Sequence, residues 1–207
     1  MRRKIRALQF MPVLLVASAA IGAEPIEPAD PFAEPSSAYL RAFANPSERV
    51  FVLERFDASG LLVSRETGAA TEPISIGGAT RRTIAGRDIS LRGLRACPDK
   101  MVNYNQTETW PCAKAAADYA GTIYNERAKV SLCKTLVLDT QRRDPIPASC
   151  FALVGGDGEP FRVANDDDAM VFLGLARIER TLDVRSRRPD LEHSQALGQS
   201  AGHKNAR

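Results

Sequence analysis

The first 23 residues decide the compartment in which this 207-residue chain folds. Four basic residues within the first six precede a short, mostly apolar run from Phe10 to Ala20, and small residues follow up to Ala23. This layout is typical of a secretory signal peptide, because the apolar run is too short and wrongly flanked for a membrane-spanning helix. We therefore expect cleavage after Ala23 and a periplasmic or secreted protein with no transmembrane segment after cleavage.

Loss of that segment changes the charge of the chain. The whole sequence has 28 Lys and Arg against 25 Asp and Glu, a net charge of +3. Four basic and no acidic residues leave with residues 1–23, so the mature chain has 24 against 25, a net charge of −1. Proteins that bind nucleic acid through phosphates usually carry a basic excess. Nucleic acid is therefore only weakly supported as a partner.

An even number of cysteines in an exported chain favours disulfides over metal ligation or redox chemistry. The four cysteines are Cys97, Cys112, Cys133 and Cys150. They allow three different pairings. The sequence has no Cys-x-x-Cys, and its only histidines, His193 and His203, lie near the C terminus, so we expect no zinc site.

Composition divides the chain into four parts. Residues 1–23 form the signal peptide, and residues 24–48, which begin with four prolines among acidic residues, predict a linker. Residues 49–178 have the length and patterning of one domain. Residues 179–207 are polar, with many Ser, Arg, Gln and Gly from Thr181 onward, and predict a flexible tail.

Within the domain, short strand patterns outnumber helical ones. Candidate strands lie at 50–56, 61–64, in the two arms of a hairpin within 82–94, at 129–138 and at 148–154. Helical periodicity is clearest over Cys112–Arg127. Asn165 predicts the cap of a second helix, with Asp166–Asp168 complementing the helix dipole in its first turn. This order favours a strand-built α+β fold over a parallel α/β sheet.

Several stretches of this sequence resemble the staphylococcal-nuclease family. Ile89–Pro98 (Ile-Ser-Leu-Arg-Gly-Leu-Arg-Ala-Cys-Pro) is similar to the family's Ile-Arg-Leu-x-Gly-Ile-Asp-Ala-Pro-Glu, and Trp110–Ala117 to its Trp-Pro-Cys-Gly-x-x-Ala helix start. The later matches are Val130–Cys133, Ala148–Phe151 and Phe172–Ala176. The resemblance covers roughly 76–176. It implies an α+β, mainly β fold, an OB-type five-stranded barrel with two or three helices.

The positions that carry this family's chemistry hold other residue types here. Family members hydrolyse phosphodiesters with one calcium ion held by carboxylates, a glutamate that orients water, and two arginines on the phosphate. The metal carboxylates fall on Gly77–Ala79 and Arg95, the glutamate on Pro98, and the arginines on Ser90 and Pro145. The resemblance thus implies no catalytic residues, no metal ligands and no cofactor.

Three functions are compatible with this sequence. The leading one is an exported, catalytically inactive nuclease-like domain that acts as a binding or interaction module for a protein or an anionic ligand. The second is a calcium-dependent phosphodiesterase with relocated residues, for which Asp88, Asp99 and Asp144 lie close enough to be shifted in by gaps. The third is a structural envelope protein that binds through the tail from Thr181.

The resemblance also implies a disulfide pairing. In the family fold, the strands that carry Cys133 and Cys150 lie side by side, so a bridge between them leaves Cys97 to pair with Cys112. Each bridge closes a loop of about 15 residues, worth roughly 3 kcal/mol in the chain-entropy description. We expect both bridges to be structural.

Arginines near the expected substrate cleft predict an anion-binding site. The proposed set is Arg92, Arg95, Arg142 and Arg143. The doublets Arg81-Arg82 and Arg142-Arg143 are expected to be exposed, because arginine is seldom buried without a partner.

Overall fold

A computed structural model describes residues 30–98, 101–105, 108–142, 144–156 and 158–203. The predicted signal peptide, Asp99 and Arg143 lie outside these residues. The strands are β1 (Val50–Phe56), β2 (Leu62–Ala69), β3 (Ser75–Ile76), β4 (Arg81–Ile84), β5 (Arg87–Leu91), β6 (Leu94–Ala96), β7 (Met101–Asn105), β8 (Glu108–Pro111), β9 (Ala128–Leu136), β10 (Ile146–Gly156), β11 (Glu159–Asn165) and β12 (Ala176–Ile178). The α-helices are α1 (Ser37–Arg41), α2 (Cys112–Gly121), α3 (Val137–Arg142), α4 (Asp166–Phe172) and α5 (Glu192–Ser200).

Eight of these strands form one mixed sheet. Its order is β2-β1-β9-β10-β5-β4-β3, and β11 pairs with β10 outside this path. The β1–β9 and β5–β10 pairs are parallel, and the other neighbours are antiparallel. Two further pairs, β6 with β12 and β7 with β8, stand apart from this sheet. The α+β, mainly β class predicted from the sequence is confirmed.

The predicted closure into a five-stranded barrel is wrong, because the sheet is open. A barrel closes only when its two terminal strands pair with each other. Here the terminal strands are β2 and β3, which do not pair with each other. The terminal strand β3 has only two residues and pairs with β4 alone. The structure also has five α-helices among its described residues, where two or three were expected.

Both faces of the central strands are buried. Along β1, Phe51 and Leu53 join the larger apolar core, while Val52 faces the opposite side, as the two-residue period of a strand requires. Helix α1 covers that second face with Tyr39 and Leu40, which are almost fully buried. The predicted linker 24–48 therefore contains a packed helix, because the apolar second face of the sheet needs a cover.

The larger core lies between the sheet and helices α2 and α4. The helix predicted over Cys112–Arg127 is present as α2 followed by a π-helical segment, Thr122–Arg127. Ala115, Ala116 and Ala120 of α2 pack inward without exposure, and Tyr124 of the π-helical segment is buried with them. The predicted cap is confirmed as well, since the Asn165 side chain accepts a hydrogen bond from the Asp168 N–H at 3.2 Å.

Both predicted disulfides are present. Cys133 and Cys150 are register partners on β9 and β10, with their Cα atoms 4.2 Å apart. Cys97 and Cys112 join the segment after β6 to the start of α2, with Cα atoms 6.3 Å apart. All four cysteines are thus bonded.

Residues 179–203, which composition predicted to be part of a flexible tail, make contacts with the domain. Glu179 N–H donates to the Gly93 carbonyl at 2.8 Å, and an isolated bridge joins Arg180 to Ser186. A 3-10 turn, Pro189–Leu191, leads into α5, which packs on α4. Composition did not predict this packing, because the residues that anchor the segment are polar. Arg188, for example, is buried, with only 2 % of its surface exposed.

Candidate functional site

One cavity lies where the parallel strands β5 and β10 meet. It has a volume of about 730 Å³, and we call it the Ser90 cavity. Register pairs Ser90 with Pro147 and Leu91 with Ala148, so the end of β5 and the start of β10 form its floor. Its lining residues are Thr80, Arg81, Ser90, Leu91, Arg92, Gly93, Leu94, Asp139, Asp144, Pro145, Pro147, Glu179 and Arg187.

Positions that the family resemblance assigns to catalysis meet in this cavity. Ser90 and Pro145, which occupy the two arginine positions, both line it, and Thr80, which follows the first metal-binding turn, lines it as well. Arg95 and Pro98 instead line a different cavity. The fold therefore brings together part of the expected site.

Arg92 is a partly buried cation in the wall of this cavity. Its guanidinium carbon lies 3.7 Å from the centroid of the Phe32 ring, a cation–π contact. Its Nε is buried and has no hydrogen-bond partner among the described residues. Burial, together with the positive charge of Arg188, lowers the pKa of Arg92, although attraction by Asp167, Asp190 and Asp30 opposes this shift. A cation in this position favours a nearby anion.

The predicted four-arginine cleft does not assemble. Arg92 lines the Ser90 cavity, whereas Arg95 lines a second cavity of about 470 Å³ with Arg177 and Arg180. The Arg142 side chain and the whole of Arg143 lie outside the described part of the structure. The arginines that join Arg92 are Arg81, an exposed residue of β4, and Arg187, which bonds Glu179 at 3.5 Å.

The Ser90 cavity is lined by as many carboxylates as arginines, three of each. Asp139 of α3, Asp144 and Glu179 line the same cavity. Within the described ranges, no group of three or more His, Cys, Asp or Glu side chains is positioned to hold a metal ion. Asp88, another candidate for a relocated ligand, is exposed on β5 and accepts a hydrogen bond from Thr83 at 2.6 Å; it does not line this cavity.

The buried ionic network beside the cavity was missed by sequence reasoning. Arg82, predicted to be exposed, is 1 % exposed, and its Nε and Nη2 each donate to Asp166 at 3.0 Å. The Tyr124 hydroxyl donates to the same carboxylate at 3.0 Å. Burial raises the pKa of Tyr124 well above its usual value, so this hydroxyl stays a donor.

The other two acids of the triplet fix the C-terminal segment. Asp167 pairs with Arg188 in a fully buried contact, and Ser194 of α5 donates to Asp168. Arg188 Nη1 also donates to the Arg92 carbonyl at 3.0 Å. Three successive acids after an Asn cap were interpreted as helix-dipole complements. Each acid in fact has its own partner that is distant in the sequence. The spacing of neighbouring residues cannot predict such partners.

Fold and site together define a strand-rich α+β protein with two disulfides and a polar cavity of mixed charge. No protein-family model matches the chain, and no curated protein matches it. None of the helices in the described residues has both the length and the apolar character needed to cross a bilayer.

Proposed function

We propose that this chain is an exported, catalytically inactive relative of the staphylococcal nucleases that acts as a binding module through the Ser90 cavity. Its two disulfides are compatible with folding in an oxidising compartment, periplasmic or extracellular. The ligand or partner presents an anionic group to Arg92. No cofactor is required for this role.

The observation that carries the proposal is the partly buried guanidinium of Arg92, whose Nε has no hydrogen-bond partner among the described residues. The Arg92 guanidinium is partly buried next to a second, buried cation, Arg188, and a bound anion would add to the attraction that Asp167, Asp190 and Asp30 already supply. Arg92 lines the cavity where the resemblance expects a phosphate to bind, beside Ser90 and Pro145. An anion there would offset both the desolvation of Arg92 and its repulsion by Arg188.

Residue types in the cavity argue against retained nuclease chemistry. Ser90 and Pro145 replace two phosphate-binding guanidiniums, and proline offers no side-chain donor. Removal of one such donor costs roughly 2.7–4 kcal/mol of transition-state stabilisation, and groups that act as a unit lose activity together. A binding role needs only the charge of Arg92.

A calcium-dependent phosphodiesterase is the second candidate, and one observation favours it. Asp139, Asp144 and Glu179 line the same cavity as Arg92. If a calcium ion drew two of them together, the cavity would hold both a metal and a cation beside one substrate phosphate. The envelope-protein alternative has less support, because its predicted binding tail is packed against the body of the domain.

Binding is tested by titrating pyrophosphate into the purified mature chain by calorimetry. Arg92→Met keeps a long, unbranched side chain and removes the charge, so we expect about 10- to 100-fold weaker binding, the worth of one hydrogen bond to a charged group. Arg162→Met, an exposed residue of β11, is the matched control and keeps the affinity. Equal affinities of wild type and Arg92→Met would contradict the proposal.

Catalysis is tested separately with single-stranded DNA and calcium. We expect no cleavage above a chelated control, and no calcium-dependent rise in melting temperature, which a ligand of the native state alone must cause. Chelator-sensitive cleavage that Asp144→Asn abolishes and Asp88→Asn leaves intact would establish the second candidate instead.

A further inference from the structure

A row of polar side chains crosses the sheet on the face that α1 covers. Glu54 of β1 is the register partner of Lys134 on β9, and Lys134 is the partner of Ser149 on β10. Arg92 continues the row, because its backbone N–H donates to the Ala148 carbonyl at 2.9 Å, one residue beyond the last register pair of β5 and β10. Four neighbouring strands thus place polar side chains in one line, which we call the polar row.

The segment before β1 follows the polar row. The hydroxyl of Tyr39 in α1 donates to Glu54. Nearer the N terminus, the Ala33 carbonyl accepts from Lys134 Nζ at 3.2 Å, and the neighbouring Phe32 ring lies over Arg92. Residues 30–41, which we call the strap, are therefore fixed to β1, to β9 and to the end of β5, although composition predicted a linker here.

Local hydrogen bonds on both sides fix the position of Phe32 within the strap. Its N–H donates to Asp30 Oδ1 at 2.9 Å, and the Ala33 N–H donates to the Asp30 carbonyl at 3.1 Å. Lys134, which anchors the Ala33 carbonyl, is fully buried, and a buried ammonium group needs its hydrogen-bond acceptors because water cannot replace them. The ring of Phe32 is therefore attached to a turn that the sheet itself holds in place.

Phe32 lies close enough to Arg92 to restrain its guanidinium. The guanidinium carbon is 3.7 Å from the ring centroid, whereas the corresponding distance from Arg65 to Phe43 is 5.1 Å. Arg92 Nε has no hydrogen-bond partner among the described residues, so the ring supplies orientation that a hydrogen bond at Nε does not. A guanidinium that lies over an aromatic ring keeps its N–H donors at its rim. Phe32 does not line the Ser90 cavity, so it leaves the ligand's space open.

We propose that Phe32 is a positioning residue for the anion that Arg92 binds. The strap fixes the ring, and the ring restricts Arg92 to orientations in which its N–H groups face the Ser90 cavity. An arginine that is already restrained loses less side-chain entropy when its ligand binds, and affinity rises accordingly. This inference rests on the proposed function and adds the residue that prepares Arg92 for its ligand.

The experiment titrates pyrophosphate into the mature chain and its variants by calorimetry at constant ionic strength. Phe32→Leu keeps an apolar side chain and removes the ring, so we expect about 3- to 30-fold weaker binding, the worth of a cation–π contact. Phe32→Tyr keeps the ring and should bind as the wild type does. Phe43→Leu is the matched control, because it removes a ring that lies over Arg65 instead of Arg92, and it should keep the affinity. Melting temperatures show that each variant is folded.

Two further measurements separate positioning of Arg92 from general packing of the strap. Phe32→Leu should leave the affinity unchanged when it is added to Arg92→Met, because the ring acts through the guanidinium. The Nε–Hε resonance of Arg92, assigned by its loss in Arg92→Met, is followed in nitrogen–proton correlation spectra of the chain without ligand. We expect Phe32→Leu to shift this resonance, because the ring current is lost, and Phe43→Leu to leave it in place.

The outcomes distinguish this inference from the proposed function. Pyrophosphate binding that Arg92→Met weakens and Phe32→Leu does not would overturn the role of Phe32 and leave the proposed function intact. Equal weakening by Phe32→Leu in the wild-type and Arg92→Met chains would also overturn it, because the ring would then act on packing alone. A wild-type chain that binds no pyrophosphate, or binds it as tightly as Arg92→Met does, would overturn both.

Discussion

Arg188 and Asp167 form an ion pair that is almost completely inaccessible to solvent at both ends. Asp167 lies in the first turn of α4, and Arg188 belongs to the C-terminal segment that composition predicted to be flexible. Arg188 also donates to Asp190 at 2.7 Å and to the Arg92 carbonyl. One guanidinium therefore joins the C-terminal segment to α4 and to the wall of the Ser90 cavity.

Arg188→Met should destabilise the fold by about 3–5 kcal/mol at pH 7, because it leaves Asp167 buried without its cation. The loss should be smaller at pH 5. Burial raises the pKa of Asp167 even when Arg188 is present, and removing Arg188 raises it further. A carboxyl group whose pKa is higher in the folded than in the unfolded state stabilises the fold at pH values below the unfolded-state pKa of about 3.9. This stabilisation is lost as the pH rises through the folded-state pKa.

Urea unfolding of Arg188→Met and wild type at pH 5 and pH 7 measures this effect. Arg185→Met is the control, since Arg185 is an exposed residue of the same segment and pairs with exposed Asp183. A cost for Arg188→Met that is equal at both pH values would show that removing Arg188 does not raise the pKa of Asp167 into this pH range.

Gly198 should be essential for the docking of α5. A Cβ placed there would lie 2.0 Å from the Phe172 carbonyl oxygen, which is backbone and has no room to move. Gly198→Ala should therefore release α5 and make the segment after Pro189 sensitive to limited proteolysis, while the disulfide-bonded sheet stays folded. Gly121→Ala is the matched control: it lies in a helical conformation with open space around its Cβ position.

We expect Gly121→Ala to be neutral or to stabilise by about 0.4–1 kcal/mol, through a lower entropy of the unfolded chain. The two variants are compared by mass spectrometry of the proteolytic fragments and by thermal unfolding. Equal resistance of α5 to proteolysis in both variants would show that the contact between α4 and α5 accommodates the added methyl group without loss of stability.

Local sequence pattern predicted the elements well and their long-range pairing poorly. The apolar run Val50–Phe56 is β1, Cys112–Gly121 is α2, and Asn165 caps α4, because periodicity and capping act within a few residues. The parallel pairing of β1 with β9 joins residues some 80 positions apart, and no local pattern contains it. The barrel prediction was wrong because the terminal strands β2 and β3 do not pair with each other.

The burial of charged residues was also predicted poorly. Arg82 was expected to be exposed because arginine usually is, yet its partner Asp166 lies 84 residues away. The tail was judged mobile for the same reason, since its anchor Arg188 is polar. Cysteine pairing was predicted correctly, because the family resemblance supplied the adjacency of β9 and β10 that spacing alone lacked.

The two disulfides should contribute almost equally to stability. Their sequence separations are 15 for Cys97–Cys112 and 17 for Cys133–Cys150, and loop-closure entropy changes little over that difference. Each Cys→Ala pair should cost about 3 kcal/mol. Urea unfolding of the two double variants checks this, and a difference above about 1.5 kcal/mol between them would mean that packing at the bridges, not loop entropy, dominates.

Tyr124→Phe should cost about 1.5–3 kcal/mol, the usual worth of a hydrogen bond to a charged group. The hydroxyl of Tyr124 is fully buried and donates to Asp166 Oδ2, which also accepts from Arg82. Phenylalanine keeps the ring packing, so the loss isolates the hydroxyl. Tyr119→Phe, at a half-buried position on α2, is the control and should cost less than about 0.5 kcal/mol. Thermal and urea unfolding measure both variants; an equal, small loss in the two would show that Arg82 alone satisfies the Asp166 carboxylate.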